Sequence, residues 1–429
     1  MWPPWPGRWR ARGTPCSPPA TFGGVANLVA ELMAAVSTQP RVRSRASFAI
    51  VAGALFVLLL DGNLPTPLYG VYQERFGFSS TTLTLIFAAY TISLIPSLLL
   101  FGQLSDRVGR RPVIAGGLGV AALGLVLLAT AQSTEWLFAA RAVQGVALGS
   151  AVGTIPAALV ELEPLEDHRR AALAAVLGQS GGSAAGPLVA GALAQWAAAP
   201  RQLCYLVALG LTLATAVAVL RIPEPGRATG RWRPQRPSVP APIRRRFARA
   251  SLTCATCWAV GALFLSVVPS YAAELLDTSD LALLGAISAT MLAMACVAQM
   301  VSLRGTMTPR RAQPTGLALL IVGVAALVLA FPLHALPLVL AAAVLAGSGL
   351  GFGYFGSQAE INDLAPGQRR GEVTAAFIAC VYLGVTVTAI STGLLADSSS
   401  LSAAVAAAGG TITIFATAGI AWHLASAEP

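Results

Sequence analysis

The sequence predicts an all-α membrane protein that crosses the bilayer twelve times, arranged as two pseudo-symmetric six-helix bundles. Three observations carry this. The 429 residues are 55% hydrophobic and only 11% charged, with a mean hydropathy of +0.70, whereas about a quarter of residues are charged in soluble domains. Apolar runs of about 20 residues, the length that crosses the hydrocarbon, recur from end to end between short polar or Pro/Gly-rich breaks. The arginines concentrate in every second break.

The apolar runs lie near 47–68, 82–103, 112–131, 136–159, 171–196, 203–221, 250–272, 281–303, 315–332, 336–359, 371–395 and 402–424. Before them, residues 1–45 are Pro, Trp and Arg followed by a stretch interrupted by Gly, Asn and Glu, which has no signal-peptide core. This segment is expected to be a disordered cytoplasmic tail; an amphipathic surface helix near 28–36, or a first residue at Met33, are the alternatives. The longest polar stretch then divides the chain into an N-terminal bundle over 46–222, a basic cytoplasmic linker over 223–249 and a C-terminal bundle over 250–425.

Orientation follows from charge. All 28 basic residues are arginine, a permanent planar cation whose own protonation cannot serve as a switch. With the N-terminus inside, twenty-five fall in the tail and the alternate loops that follow, only Arg75 and Arg201 fall outside, and Arg141 sits within a span. Such an asymmetry orients short loops toward the cytoplasm, so both termini are expected there, in an inner or plasma membrane. The net charge of +10 is therefore a topology signal, and nucleic-acid binding is not expected.

The halves also repeat. At an offset of 200 residues Gly149 and Gly153 align with Gly349 and Gly353, and Arg110 and Arg111 with Arg310 and Arg311. Internal duplication of this kind is common in secondary transporters, where one half rocks against the other around a midplane site.

Between the second and third spans lies Gly102-Gln-Leu-Ser-Asp106-Arg107-Val-Gly109-Arg110-Arg111. The glycines permit a tight turn, and Asp106 can face a helix N-terminus or an arginine. This run resembles the cytoplasmic loop signature of the major facilitator superfamily. The resemblance implies the major facilitator fold, and a gate in which Asp106 latches against the eleventh span near Arg369 and Arg370. The second-half copy has Thr306 in place of the aspartate, so only the first latch is expected to be complete. Arg141-Ala-Val-Gln144-Gly145 in the fourth span resembles the family's second signature. In the fifth span Gly182-Ser-Ala-Ala-Gly186-Pro187-Leu-Val-Ala190-Gly191 resembles that of its antiporters, with Ala190 where the fullest form has Gly. Small residues four apart let helices approach closely and Pro187 bends its helix, so these residues read as a helix-bend motif.

An arginine inside a span costs about 2.5 kcal/mol or more and marks a functional site by default. Asp61 is the other intramembrane charge, about 15 residues into the first span, or roughly 22 Å from its inner end. Arg141 enters from the opposite side to similar depth, so an Asp61–Arg141 pair, direct or water-linked, is expected to be the proton-coupling element. Burial and a neighbouring guanidinium act in opposite senses on a carboxyl group's hold on its proton, so a movement that separates the two groups transfers one.

Polar or aromatic residues within apolar spans supply the substrate-pocket candidates: Asn63, Tyr90, Gln144, Gln179, Trp258, Tyr354, Gln358 and Tyr382. No catalytic constellation, metal spacing or phosphate-cradling loop emerges; Cys254 and Cys257 read as small packing residues. The chain is thus expected to be no enzyme, to need no cofactor and no obligate protein partner, and to work with the bilayer, protons and a small molecule. The family resemblance implies proton-coupled efflux of small amphiphilic or drug-like compounds by alternating access. A proton-coupled importer of a metabolite and a non-transporting receptor or scaffold are the alternatives.

Overall fold

In hydrocarbon every backbone N–H and C=O must find its partner within the protein, and the chain answers with helix nearly throughout. The computed structural model describes residues 44–197, 199, 201–224, 237–366 and 369–426, with Gly102 and the side chains of Gln103 and Asp106 outside the description. The long helices are α1 (Arg45–Asn63), α2 (Ser80–Val108), α3 (Arg110–Ala129), α4 (Thr134–Leu162), a broken α5 (His168–Val176 and Gly182–Trp196), α6 (Leu203–Arg221), α7 (Arg244–Ser266), α8 (Leu281–Val301), α9 (Pro309–Leu333), α10 (Leu336–Leu364), α11 (Arg370–Ser398) and α12 (Leu401–Ala425). All but α5 are long and apolar enough to cross a membrane.

Local chemistry sets the ends. Ser79, Asp280 and Ser400 accept hydrogen bonds from first-turn N–H groups of α2, α8 and α12, as short polar side chains do at N-caps. His334 at φ 45° turns the chain between α9 and α10, so the break expected between the runs at 315–332 and 336–359 does separate two helices. Most expected spans agree with the helices to within a few residues. The seventh and ninth differ: α7 begins at Arg244 and α9 at Pro309, because arginines continue a helix past the hydrocarbon with their charged heads in water, which hydropathy does not register. Residues 244–249, read as linker, are therefore helix, as is Arg45, read as tail; the rest of that tail, up to residue 43, and linker residues 225–236 lie outside the described residues.

The packing has a regular plan. α1 packs on α4, α5 and α6, α4 on α2 and α3, and α3 on α6; likewise α7 packs on α10, α11 and α12, α10 on α8 and α9, and α9 on α12. Between these sets run α2 against α11 and α5 against α8. Lipid offers no hydrophobic drive to bring apolar helices together, so close approach rests on small residues. A Cβ on Gly145 or Gly149 of α4 would collide with the backbone carbonyl of Tyr90 or Leu94 on α2, and one on Gly347 or Gly351 of α10 with that of Met291 or Ala295 on α8. Large apolar side chains such as Ile92, Leu123, Ile414 and Phe415 point outward, as a lipid-facing surface requires.

Candidate functional site

The fifth helix is shaped by its small residues. Gly182 and Gly186 sit against the carbonyls of Phe56 and Leu60 on α1, and Gly191 against that of Leu281 on α8. α5 is thereby wedged between α1 and α8, and Ala190 is buried in the same stripe. Immediately before this motif the helix widens into one π-helical turn, Leu177–Gly181, a feature common at functional sites that sequence periodicity did not reveal. Gly182→Val is expected to cost at least about 2 kcal/mol, read as earlier thermal unfolding in detergent. Gly53→Val, where a Cβ meets nothing within 4 Å, should be nearly neutral.

The π turn and the residue after the break, Ser183, bring Gln179, Ser180 and Ser183 to a central cavity of about 60 Å³, which α1, α2, α4, α7, α8, α10 and α11 also wall. Six of the eight expected pocket residues line it: Asn63, Tyr90, Gln179, Trp258, Tyr354 and Tyr382. The other two do not. Gln144 is buried behind the wall, where its amide donates to the Asp61 carbonyl (2.9 Å), and Gln358 points away to Asn362 (3.3 Å). Lining residues not singled out from sequence include Phe87, Thr91 and Gln299. Gln299, an amide inside an apolar run, met the criterion used for the others; Thr91 did not, because threonine satisfies itself on its own helix in any span.

Arg141 is 2% exposed and forms part of the cavity wall. Its Nη1 donates to the Gly62 carbonyl (2.7 Å) and to Gln144 Oε1 (2.8 Å), and its guanidinium lies 4.3 Å from the Tyr90 ring centroid. These contacts compensate its charge by dipoles and a π face. Of the two forms expected for the Asp61–Arg141 pair, direct or water-linked, the direct one is not formed. Asp61 is 1% exposed and sits two residues from Leu59 and Asn63, which line the cavity, so its side chain leaves the opposite face of α1. There Oδ2 lies 2.7 Å from Thr212 Oγ1 on α6, and Oδ1 has no partner. The link between the two charged residues runs through the α1 backbone: Gln144 holds the carbonyl of residue 61 and Arg141 that of residue 62. Thr212 was missed, since nothing in an apolar span marks which threonine faces a carboxylate on another helix.

Polar contacts close the cavity from side to side. Thr91 on α2 meets Thr386 on α11 (2.7 Å), Gln179 meets Tyr354 on α10 (3.4 Å), and Gln299 on α8 donates to Ser180 (2.9 Å). Trp258 stands edge-on to Tyr354, with centroids 6.1 Å apart. At one end of the same helices, Asp397 on α11 accepts from the N–H groups of Ser80 (2.8 Å) and Thr81 (2.9 Å) at the start of α2. Gln195 on α5 likewise accepts from Leu281 N at the start of α8 (2.9 Å).

At the opposite end lies the glycine–arginine loop. Gly109, at φ 111°, leaves no room for a Cβ beside the Glu224 carboxylate, which accepts from the N–H groups of Arg110 and Arg111. Arg110 also pairs with Glu161 on α4 (3.2 Å), and Arg111 donates to the Ile222 carbonyl (3.1 Å). These partners all come from the first half of the chain. Arg107 is exposed. The expected Asp106 latch rests on a side chain outside the described residues; Arg369 pairs with Glu372 (2.9 Å) and donates to Ser238 (2.8 Å), and Arg370 donates to the Asn362 carbonyl (3.5 Å).

Long apolar helices converging on a small central cavity, with a buried guanidinium in its wall, define a multi-pass helical membrane protein with an interior polar and aromatic site. The sequence profile of the Major Facilitator Superfamily matches residues 51–352, and the chain belongs to that superfamily. It is 35% identical over 147 residues to the puromycin resistance protein of Streptomyces alboniger, covering 34% of this chain and 29% of that protein. It is 30% identical over 201 residues to the multidrug efflux pump LfrA of Mycolicibacterium smegmatis, covering 44% and 39%. The chain thus spans about a third of the length of the curated relatives it matches. Among solved structures, a POT family transporter in complex with 5-aminolevulinic acid superposes with a TM-score of 0.74 at 13% identity, covering 89% of this chain and 96% of that one.

Proposed function

We propose that this protein is a secondary active transporter that expels small amphiphilic compounds by proton-coupled alternating access. In this reading twelve spans form two six-helix bundles, with both termini in the cytoplasm. The recurrence of the α1–α6 pairings among α7–α12 supports the two bundles, as do the glycine contacts of α4 on α2 that return 202 residues later in α10 on α8. The resistance and efflux functions named for the relatives support export.

The single observation that carries the reading is Arg141, buried in the wall of an aromatic cavity lying between those two sets of helices. A membrane-embedded cation is retained where it acts on a solute or a charge. Its presence also shapes selectivity: the described lining holds this guanidinium and no carboxylate, so the cavity favours neutral or anionic amphiphiles over cations. The aromatic rings supply flat apolar surface, and Asn63, Gln179 and Gln299 supply orienting hydrogen bonds.

Proton coupling would run through Asp61 from behind the cavity. Thr212 has one hydroxyl hydrogen but two acceptor neighbours, Asp61 Oδ2 at 2.7 Å and the Ala208 carbonyl at 2.8 Å. A protonated Asp61 resolves this, donating to Thr212 Oγ1 while Thr212 donates to Ala208. Loss of that proton leaves a carboxylate and a carbonyl competing for one hydrogen, which favours rearrangement of α1 against α6. Since α1 presents the carbonyls of residues 61 and 62 to Gln144 and Arg141, the rearrangement reaches the cavity wall.

The test is pH-gradient-driven movement in inverted vesicles of a panel containing neutral, anionic and cationic aromatic compounds. Gradient-dependent uptake of neutral or anionic members, equivalent to efflux from cells, is the expected result. Movement of cations alone would overturn the selectivity, and movement only in the inward cellular sense would overturn export. The Asp397 contacts serve as the outer closure. Asp397→Asn exchanges one carboxylate acceptor for an amide donor facing an N–H group, so it should increase labelling of a cysteine placed at Thr84 by a membrane-impermeant maleimide several-fold. Unchanged labelling would remove Asp397 from that role.

A further inference from the structure

A second cavity, of about 800 Å³, opens at the arginine-rich end of the second half. It is walled by Arg245, Arg246 and Arg249 of α7, Arg310, Arg311 and Pro314 of α9, and residues 422–426 at the end of α12. Glu360 on α10 is the carboxylate beside these arginines. It is 6% exposed and pairs with Arg246 (3.1 Å) and Arg249 (2.7 Å), and its other oxygen is held by Gln313 (2.8 Å). Five guanidinium groups against one carboxylate leave a local charge of about +4. Among the described residues the side chains of Arg245, Arg310 and Arg311 have no hydrogen-bond or ion-pair partner, and the buried Nε of Arg249 has none either.

The first half shows what such a place holds. There the segment following α6 brings the Glu224 carboxylate to the N-terminus of α3, against Arg110 and Arg111. Arg310 and Arg311 stand 200 residues later, at the N-terminus of α9. The second half thus has an arginine pair at the corresponding helix start and three further arginines from α7, and among the described residues Glu360 is the one carboxylate paired with them.

We infer that this cavity binds the phosphate group of an anionic ligand, and specifically the headgroup of an anionic phospholipid. Guanidinium forks match phosphate oxygens in pairs. Basic pockets between membrane helices take anionic headgroups in this way. The half-buried Trp422 and the exposed Leu424 border the same opening, which gives acyl chains an apolar exit beside the headgroup. A bound lipid here would tie α7, α9 and α12 together at their ends. Glu428 and the terminal carboxylate lie outside the described residues and are the competing anions within the chain.

The full-length protein, stripped of lipid in detergent, is mixed with dioleoylphosphatidylglycerol, dioleoylphosphatidylcholine or sodium phosphate, and bound ligand is counted by native mass spectrometry. The phosphatidylglycerol is expected to bind about tenfold more tightly than the zwitterionic lipid, and Arg310→Gln/Arg311→Gln to erase that preference. If the double variant does not fold, Arg245→Gln, at an exposed site, should weaken the preference about threefold. Displacement of phosphatidylglycerol by millimolar phosphate confirms the phosphate chemistry but moves the source to a soluble anion. Equal binding of the two lipids, or a preference that survives both variants, overturns the site. So does phosphatidylglycerol binding that appears only in Glu428→Gln, since the chain's own carboxylate would then be the occupant.

Discussion

Arg141→Leu is expected to lower gradient-driven efflux by about a hundredfold or more while leaving the protein assembled in the membrane. The guanidinium makes charge-assisted hydrogen bonds to the Gly62 carbonyl and to Gln144, each worth about 1.5–3 kcal/mol, and its removal strands both acceptors in a buried site. It also removes the only formal charge in the described cavity wall. Arg141→Lys should recover a small part of the activity, because an ammonium keeps the charge but loses the planar guanidinium face that lies against the Tyr90 ring. The measurement is vesicle transport at matched protein levels, with substrate binding followed separately. Equal transport by wild type and Arg141→Leu would reduce Arg141 to a packing residue and remove the observation on which the functional reading stands.

Asp61→Asn should separate coupling from passage. The side chains have nearly the same shape, and an amide can donate to Thr212 Oγ1 as a protonated carboxyl would, so the variant mimics the protonated state permanently. Substrate should still equilibrate down its own gradient, whereas an imposed pH gradient should no longer concentrate it, a loss of tenfold or more in accumulation. Thr212→Val should give a milder defect, since it removes the partner at 2.7 Å but leaves a carboxyl that can still gain and lose a proton. Accumulation that persists in Asp61→Asn would place the proton elsewhere; Glu360, buried with Gln313 and two arginines, is the next carboxylate to test.

Much of the architecture was legible in the sequence because membrane insertion is governed by quantities that are local along the chain. Twenty apolar residues, a cluster of arginines, or a serine before a helix each act within a few turns. The helices follow from such terms, and so does the glycine at position 109, whose φ is positive; that the Glu224 carboxylate fills the space of its Cβ is a tertiary contact. The pocket was partly legible for the same reason. An amide or an aromatic hydroxyl in an apolar run must face something other than lipid, and six of the eight chosen on that ground reached the cavity.

Helix rotation is the coordinate that residue spacing leaves open. Asp61 and Arg141 were paired by depth, a coordinate that residue spacing supplies, but whether they meet depends on the angle around each helix and on which neighbour packs behind it. Two residues of rotation sent Asp61 to Thr212 on α6 instead of into the cavity, whereas Gln358 shares the helix face of the cavity-lining Leu350 and Tyr354 and lies one turn beyond the cavity. Composition and spacing by themselves determined that this protein is a multi-spanning helical membrane protein, which loops carry its positive charge, and which buried polar residues needed partners. Only the tertiary structure decided who those partners are: the carbonyl of residue 62 for Arg141, Thr212 for Asp61, Asp397 for the start of α2, and a shared cavity for the arginines of α7 and α9. The physical reason is that hydrophobicity acts on each span alone, whereas hydrogen bonds inside a bundle are chosen by helix rotation and contact across hundreds of residues of sequence.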